Sequence, residues 1–135
     1  MINNRVKIDG GKLPSSVGTV YTPVSGWSYS HHAHLAFFKG QFFAAWSNGK
    51  IDEDDLGQRV MLATSPDALL WENLHPVATP DMLGDEAFVL TAAGFHTHMD
   101  TLYLFFGAYR YEDGSLRAEG KRPKGDVFHK DTQLF

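Results

Sequence analysis

Five of the seven histidines in this sequence fall in two short clusters. His31, His32 and His34 form the first cluster, and His96 and His98 form the second. Imidazole changes its protonation state near neutral pH, so it can act as a general acid, a general base or a metal ligand. A single histidine is commonly an ordinary polar residue at the end of a strand. Two clusters at comparable positions of repeated units indicate a shared site.

The histidine spacing also offers a metal site as a second interpretation. His32 and His34 are two residues apart, which places both side chains on one face of a strand. Spacing fixes no carboxylate or third histidine beside them. The acidic loop at residues 52–55 resembles a calcium loop in composition, but it lacks the length and the flanking helices of an EF-hand. The sequence therefore predicts no metal ligands and no cofactor, with a structural calcium or zinc ion as the weaker alternative.

A tyrosine and an arginine extend the set of candidates. Tyr109 stands near the end of an aromatic run, where a side chain could reach the mouth of a site, whereas Tyr103 is better explained by packing. Arg59 begins another apolar run, and its guanidinium suits an anionic substrate. Pairing with the acidic loop explains Arg59 equally well.

Short apolar runs separated by turn residues must position these side chains. The turn signals are Lys39-Gly40, Asn48-Gly49 and Ser65-Pro66-Asp67. None of the runs between them keeps a period near 3.6 over the length of a helix. The sequence predicts an all-β fold with antiparallel strands near residues 33–38, 41–47, 58–65, 86–92 and 101–110.

The turn from Ser65 to Trp71 carries the most specific local pattern. An aspartate in a tight turn accepts hydrogen bonds from the backbone N–H groups just ahead of it. A tryptophan at the end of such a turn packs beneath it. The segment resembles the Asp box of sialidase-type β-propellers, with Ala68 where glycine is usual. The resemblance implies antiparallel four-stranded blades of a β-propeller.

The predicted blades do not complete a propeller. Residues 1–28 are predicted to be an N-terminal segment with a strand that closes the ring, 29–77 the first blade, and 78–135 a truncated second blade. Propellers close with about four to eight blades of about 40–50 residues each. We therefore expect an incomplete propeller, a fragment of a longer protein. Its open blade edges favour self-association, and assembly from several copies is the alternative.

Three segments resemble one branch of these propellers more closely. They are Tyr29-Ser30-His31-His32-Ala33-His34-Leu35, Trp46-Ser47-Asn48-Gly49 and Gly57-Gln58-Arg59. That branch contains ulvan lyases and related enzymes that act on rhamnose–glucuronate linkages, including rhamnosidase-like members. The resemblance implies that a base removes the proton beside a uronate carboxylate while a cation neutralises that carboxylate.

The same resemblance assigns roles to particular residues. It implies catalytic roles, as proton carrier or carboxylate neutraliser, for His32, His96 and Tyr109. It implies contacts with a glycan substrate for His31, Asn48 and Arg59. A sialidase-like glycoside hydrolase is one alternative, with catalytic carboxylates drawn from Glu53, Asp54 and Glu86. A non-catalytic glycan-binding or assembly module is the other.

Composition excludes several other kinds of partner. The 135 residues carry a formal net charge of −4 and one short basic run at 121–124, which argues against a nucleic-acid partner. No apolar run approaches the roughly 18 residues of a spanning helix, so no membrane partner is predicted. The absence of cysteine excludes disulfides and thiolate chemistry. No signal peptide is visible at the N-terminus, which leaves the compartment open, including export of a longer parent protein.

Overall fold

The computed structural model describes residues 15–85, 87–111 and 129–135. Within these ranges the chain forms antiparallel strands and one short 3-10 helix, Pro80–Leu83. The strands are β1 Tyr29–Phe38, β2 Gln41–Gly49, β3 Arg59–Ser65, β4 Glu72–Ala78, β5 Val89–His98, β6 Thr101–Tyr111 and β7 His129–Leu134. The predicted all-β fold class is confirmed. No helix in the described part of the chain is long and apolar enough to cross a membrane.

The strands form two antiparallel sheets, one ordered β1-β2-β3-β4 and the other β5-β6-β7. Within each sheet, every strand pairs with the next one along the chain. Two-residue turns at residues 39–40 and 99–100 bring β2 beside β1 and β6 beside β5. Among residues 15–28 the only β pairing is an isolated bridge between Val24 and Trp27. The assignment of each sheet to a propeller blade stays a prediction.

The middle strands of the first sheet, β2 and β3, are largely buried on both faces. Alternation along β3 sends Val60 towards the second sheet and its neighbour Met61 to the opposite face. Val60 belongs to a core cluster with Ala78, Phe88, Leu90, Ala92 and Ala108. On the other face a second cluster contains Ala44, Trp46, Met61 and Ala63, packed against Val20, Tyr21 and Trp71. Residues 44–49 of β2 are therefore all buried, as expected for a strand covered on both sides.

The turn from Ser65 to Trp71 is held by its own side chains. Asp67 Oδ1 accepts hydrogen bonds from the backbone N–H groups of Leu69 and Leu70, at 2.8 and 2.9 Å. Ser65 Oγ accepts from the N–H of Ala68 at 2.9 Å. The prediction that the Asp67 side chain bonds N–H groups within its own turn is confirmed. Trp71 is partly buried, and its indole N–H donates to the carbonyl of Ala68 at 3.2 Å.

Replacing Ala68 by glycine is expected to stabilise the protein. Ala68 has φ +62°, the left-handed region that costs a residue with a Cβ about 1–2 kcal/mol. We expect Ala68→Gly to raise the free energy of unfolding by about 1 kcal/mol in urea denaturation. The control Ala36→Gly, in a regular pair of β1, should lower it by about 0.5–1 kcal/mol. A loss of stability in Ala68→Gly would contradict the turn geometry.

The same turn should make stability depend on pH in the acid range. Hydrogen bonds from the N–H groups of Leu70 and Leu69 lower the pKa of Asp67 below its ordinary 3.8. The stabilisation is thus fully present above pH 3.8 and is lost as the pH falls through the lower folded pKa. We expect the stability difference between the native chain and Asp67→Asn to shrink below pH 3.8. Urea unfolding at a series of pH values measures it, and a difference that stays constant into acid would contradict the prediction.

Candidate functional site

The acidic loop between β2 and β3 is folded around its own carboxylates. Asp55 Oδ2 accepts hydrogen bonds from the N–H groups of Ile51 and Asp52, at 2.7 and 2.6 Å. The N–H of Asp54 donates to Gln58 Oε1 at 2.9 Å. These bonds place Glu53 beside β1, where its Oε1 lies 3.6 Å from Nδ1 of His31.

A bulge in β1 places His31 and His32 together. His31 pairs with Ser47, but the next regular pair is His34 with Ala45, so two residues of β1 stand opposite one residue of β2. His32 has φ +50°, an uncommon conformation for a residue with a Cβ. Consecutive side chains normally leave a strand on opposite faces. Here the two imidazole rings lie with their centroids 4.3 Å apart.

The buried side chain of Gln58 orients His31 and the acidic loop through hydrogen bonds. Its side chain is fully buried, and its Nε2 donates to the carbonyl of Leu90 at 2.9 Å and to Thr91 Oγ1 at 3.3 Å. Its Oε1 lies 2.9 Å from Nε2 of His31. The sequence alone predicts no role for Gln58. In the sequence, Gln58 is only a polar residue between Gly57 and Arg59. That local pattern does not indicate which strands its side-chain amide joins.

Arg59 lies on the other side of the sheet, against an aromatic ring. Its guanidinium carbon is 3.7 Å from the centre of the Trp27 ring, and its Nε donates to Asn48 Oδ1 at 3.0 Å. Burial lowers the pKa of Arg59 from its ordinary value, while Tyr21 acts in the opposite direction. Arginine remains charged at neutral pH in proteins. The result is a positive charge stacked on an indole.

Asn48 positions Arg59 and has no surface of its own. It is fully buried, and its Nδ2 donates to the carbonyl of Tyr29 at 3.1 Å. The resemblance implied a substrate contact for Asn48. Since none of its side chain is exposed, it can act on a ligand only through the guanidinium that it orients.

Arg59 lines a cleft of about 460 Å³. The cleft is lined by Trp27, Lys50, Leu56, Gly57, Arg59, Thr79, Pro80 and Asp81. Two cations, one carboxylate and apolar surface thus surround a single concave space. Such a combination suits a polar ligand that carries a negative charge.

The strand register separates this cleft from the histidines. Ser30, Asn48 and Arg59 stand opposite one another across β1, β2 and β3, and opposed residues share a face. His31 and Ser47 belong to the next row, which faces the second sheet, because Ser47 Oγ accepts from the N–H of Ala92 at 3.0 Å. Arg59 and His31 therefore leave the sheet on opposite faces.

His96 does not lie at the start of its strand, where the sequence predicted it. It is the eighth residue of β5, close to the turn into β6, and not at the start of the strand. The Nε2 of His34 lies 3.3 Å from the carbonyl oxygen of Ala92, which aligns the two strands. His32 is the fourth residue of β1, so the two histidines do not stand at equivalent positions of their strands. The catalytic roles implied for His32 and His96 stay predictions.

The burial of Tyr103 and Tyr109 is the reverse of what the sequence predicted. Tyr109 is only 6% exposed and packs against Val89 and Leu56, whereas Tyr103 is 45% exposed. Packing was expected for Tyr103, and a role at the mouth of a site for Tyr109. Tyr109 instead belongs to the core.

Among the carboxylates considered for hydrolysis, Glu53 lies beside His31, Asp54 lies in the folded acidic loop, and Glu86 is outside the described residues.

Comparison with known proteins adds a likeness of fold. No protein family matches this chain, and no curated protein matches it. A solved structure described as a sialidase matches 73% of this chain with a TM-score of 0.57 and 22% sequence identity. The chain spans 11% of the length of that sialidase. At this identity the likeness shows the fold alone, so the chain has a sialidase-like fold of antiparallel sheets.

Removing the Gln58 amide is expected to be strongly destabilising. Gln58→Leu would leave buried partners on the acidic loop, on β1 and on β5 without their hydrogen bonds, at about 1–3 kcal/mol each. We expect the free energy of unfolding to fall by at least about 3 kcal/mol, measured in urea. The control Gln41→Leu, at the start of β2, should stay within about 0.5 kcal/mol of the native chain. A small effect at Gln58 would show that the two sheets do not depend on this amide.

Proposed function

We propose that this chain is part of a carbohydrate-active protein that recognises an acidic, uronate-bearing glycan. The observation that carries the proposal is the Arg59 guanidinium stacked on Trp27, with Lys50 on the same cleft. The sialidase-like fold supports a carbohydrate-active protein but does not specify the glycan.

The cleft has the charge that a sugar carboxylate requires. Arginine presents five N–H donors in a planar group that matches a carboxylate. Asn48 accepts one of these five N–H donors, and Tyr21 interacts with the same guanidinium. Further N–H donors of Arg59 can therefore bind a ligand. Lys50 adds a second cation whose Nζ lies 5.9 Å from the centre of the Trp27 ring. Trp27 and Leu56 supply apolar surface for the C–H groups of a sugar ring.

Uronate recognition also fits the elimination chemistry that the sequence resemblance implies. Neutralising the carboxylate acidifies the adjacent C–H, which a base can then remove. We propose the neutralising role for Arg59, and lyase activity on a uronate- or rhamnose-containing glycan for the longer protein. The resemblance implies His32, His96 and Tyr109 as proton carriers in that reaction, and these roles stay predictions for the longer protein.

Binding to the 135-residue chain tests recognition directly. Titration with a glucuronate-containing oligosaccharide, followed by tryptophan fluorescence, should show saturable binding that a neutral oligosaccharide of equal length does not show. Lys50→Gln should weaken binding about tenfold, since a charge-assisted hydrogen bond contributes about 1.5–3 kcal/mol. Lys39→Gln, at the turn between β1 and β2, is the matched control and should bind as the native chain does. Equal affinity for acidic and neutral glycans, or equal losses in both variants, would contradict the proposal.

The reaction class is distinguished by its products in the longer protein. Ultraviolet absorbance from an unsaturated uronate indicates a lyase, whereas new reducing ends without that absorbance indicate a hydrolase. Binding without either product would favour the glycan-binding module, the third class that the sequence allows.

A further inference from the structure

His31, His32 and Glu53 form a cluster that the glycan cleft does not use. Each residue offers one ligand atom, and these atoms all lie within 4.8 Å of one another. His31 and His32 come from the bulge in β1, and Glu53 comes from the acidic loop. His32 is exposed and the Glu53 side chain is 47% exposed, so the cluster is open to solvent.

The hydrogen bonds of Gln58 determine which nitrogen of His31 carries the proton. Nε2 of Gln58 donates to Leu90 and Thr91, so the other amide atom is the oxygen. That oxygen can only accept, and it lies 2.9 Å from Nε2 of His31. Nε2 of His31 therefore carries a hydrogen, and in the neutral ring the lone pair belongs to Nδ1.

This lone pair has no donor among the residues that the structure describes. The His31 side chain is only 12% exposed, and its Nδ1 is buried and makes no hydrogen bond within the described residues. Oε1 of Glu53 stands 3.6 Å away and is also an acceptor when ionised. Two acceptors facing each other are stabilised by a donor or a cation between them, and the candidates are a proton on His31, a bridging water molecule and a metal ion.

Three observations favour the metal ion. A metal-binding histidine usually donates its second ring N–H to a carboxylate or carbonyl oxygen, as His31 does to Gln58. The bulge and the left-handed backbone of His32 place a second imidazole on the same side, which a simple ion pair between His31 and Glu53 does not need. Two zinc ligands at about 2.1 Å in a tetrahedral site lie about 3.4 Å apart, close to the 3.6 Å between His31 and Glu53.

We propose that His31, His32 and Glu53 bind a divalent transition-metal ion of the zinc class. Two imidazole nitrogens and one carboxylate oxygen are a ligand set that suits Zn²⁺, and three protein ligands leave one position open. The side chains of His32 and Glu53 are exposed enough to rotate over the remaining distance. The site is independent of the glycan cleft, because Arg59 leaves the sheet on the opposite face.

Metal titration of the 135-residue chain tests this site. Isothermal titration with Zn²⁺ after treatment with a chelator should show one saturable site per chain. Co²⁺ should produce the visible absorption of a low-coordinate site. His32→Ala and Glu53→Gln should each weaken Zn²⁺ binding at least tenfold, and neither removes a buried group.

Two matched variants separate zinc binding at this cluster from zinc binding elsewhere on the chain. His98→Ala removes an exposed histidine at the end of β5 and should leave the zinc affinity unchanged. Lys50→Gln should also leave it unchanged, so a failure of the glycan proposal would not be mistaken for a failure of this one. The proposal is overturned by the absence of a saturable site, by equal losses in His98→Ala, or by full affinity in His32→Ala or Glu53→Gln.

Discussion

The buried amide of Gln58 is the interaction on which the rest of the structure depends. Its side chain joins the acidic loop, β1 and β5, and its backbone carbonyl accepts from the N–H of Leu90 at 3.1 Å. A buried amide is costly unless it is fully satisfied, and this one is bonded at both of its polar atoms. One residue therefore both orients His31 and links the two sheets, alongside the apolar core between them.

The first sheet carries different chemistry on its two faces. On one face Asn48 orients Arg59 against Trp27, and on the other face the bulge in β1 brings His31 and His32 beside Glu53. In both places a buried amide side chain fixes the orientation of a charged or titratable group at the surface. A sheet covered on both sides makes this possible, because a buried support can lie beneath each exposed site.

The sialidase-like fold and the two candidate sites are separate results. A fold of this kind can hold many different sites, so glycan recognition at Arg59 and metal binding at His31 each depend on their own geometry. The chain spans 11% of the sialidase that it resembles, and a larger protein would supply further surfaces around both sites. Self-association through open strand edges stays a prediction.

The sequence by itself determined the local features of this protein. Alternating apolar runs and turn residues specified β1, β2, β3 and β6, whereas β5 runs to His98 and not only to residue 92 as predicted. The Ser65–Trp71 pattern specified a turn closed by Asp67, because such features depend only on neighbouring residues. The tertiary structure alone decided which distant groups meet. The course of β5 places His96 as its eighth residue, near the turn into β6, and contacts across the core bury Tyr109. The pairing of Gln58 with Leu90 joins residues 32 positions apart, and no local pattern encodes that distance.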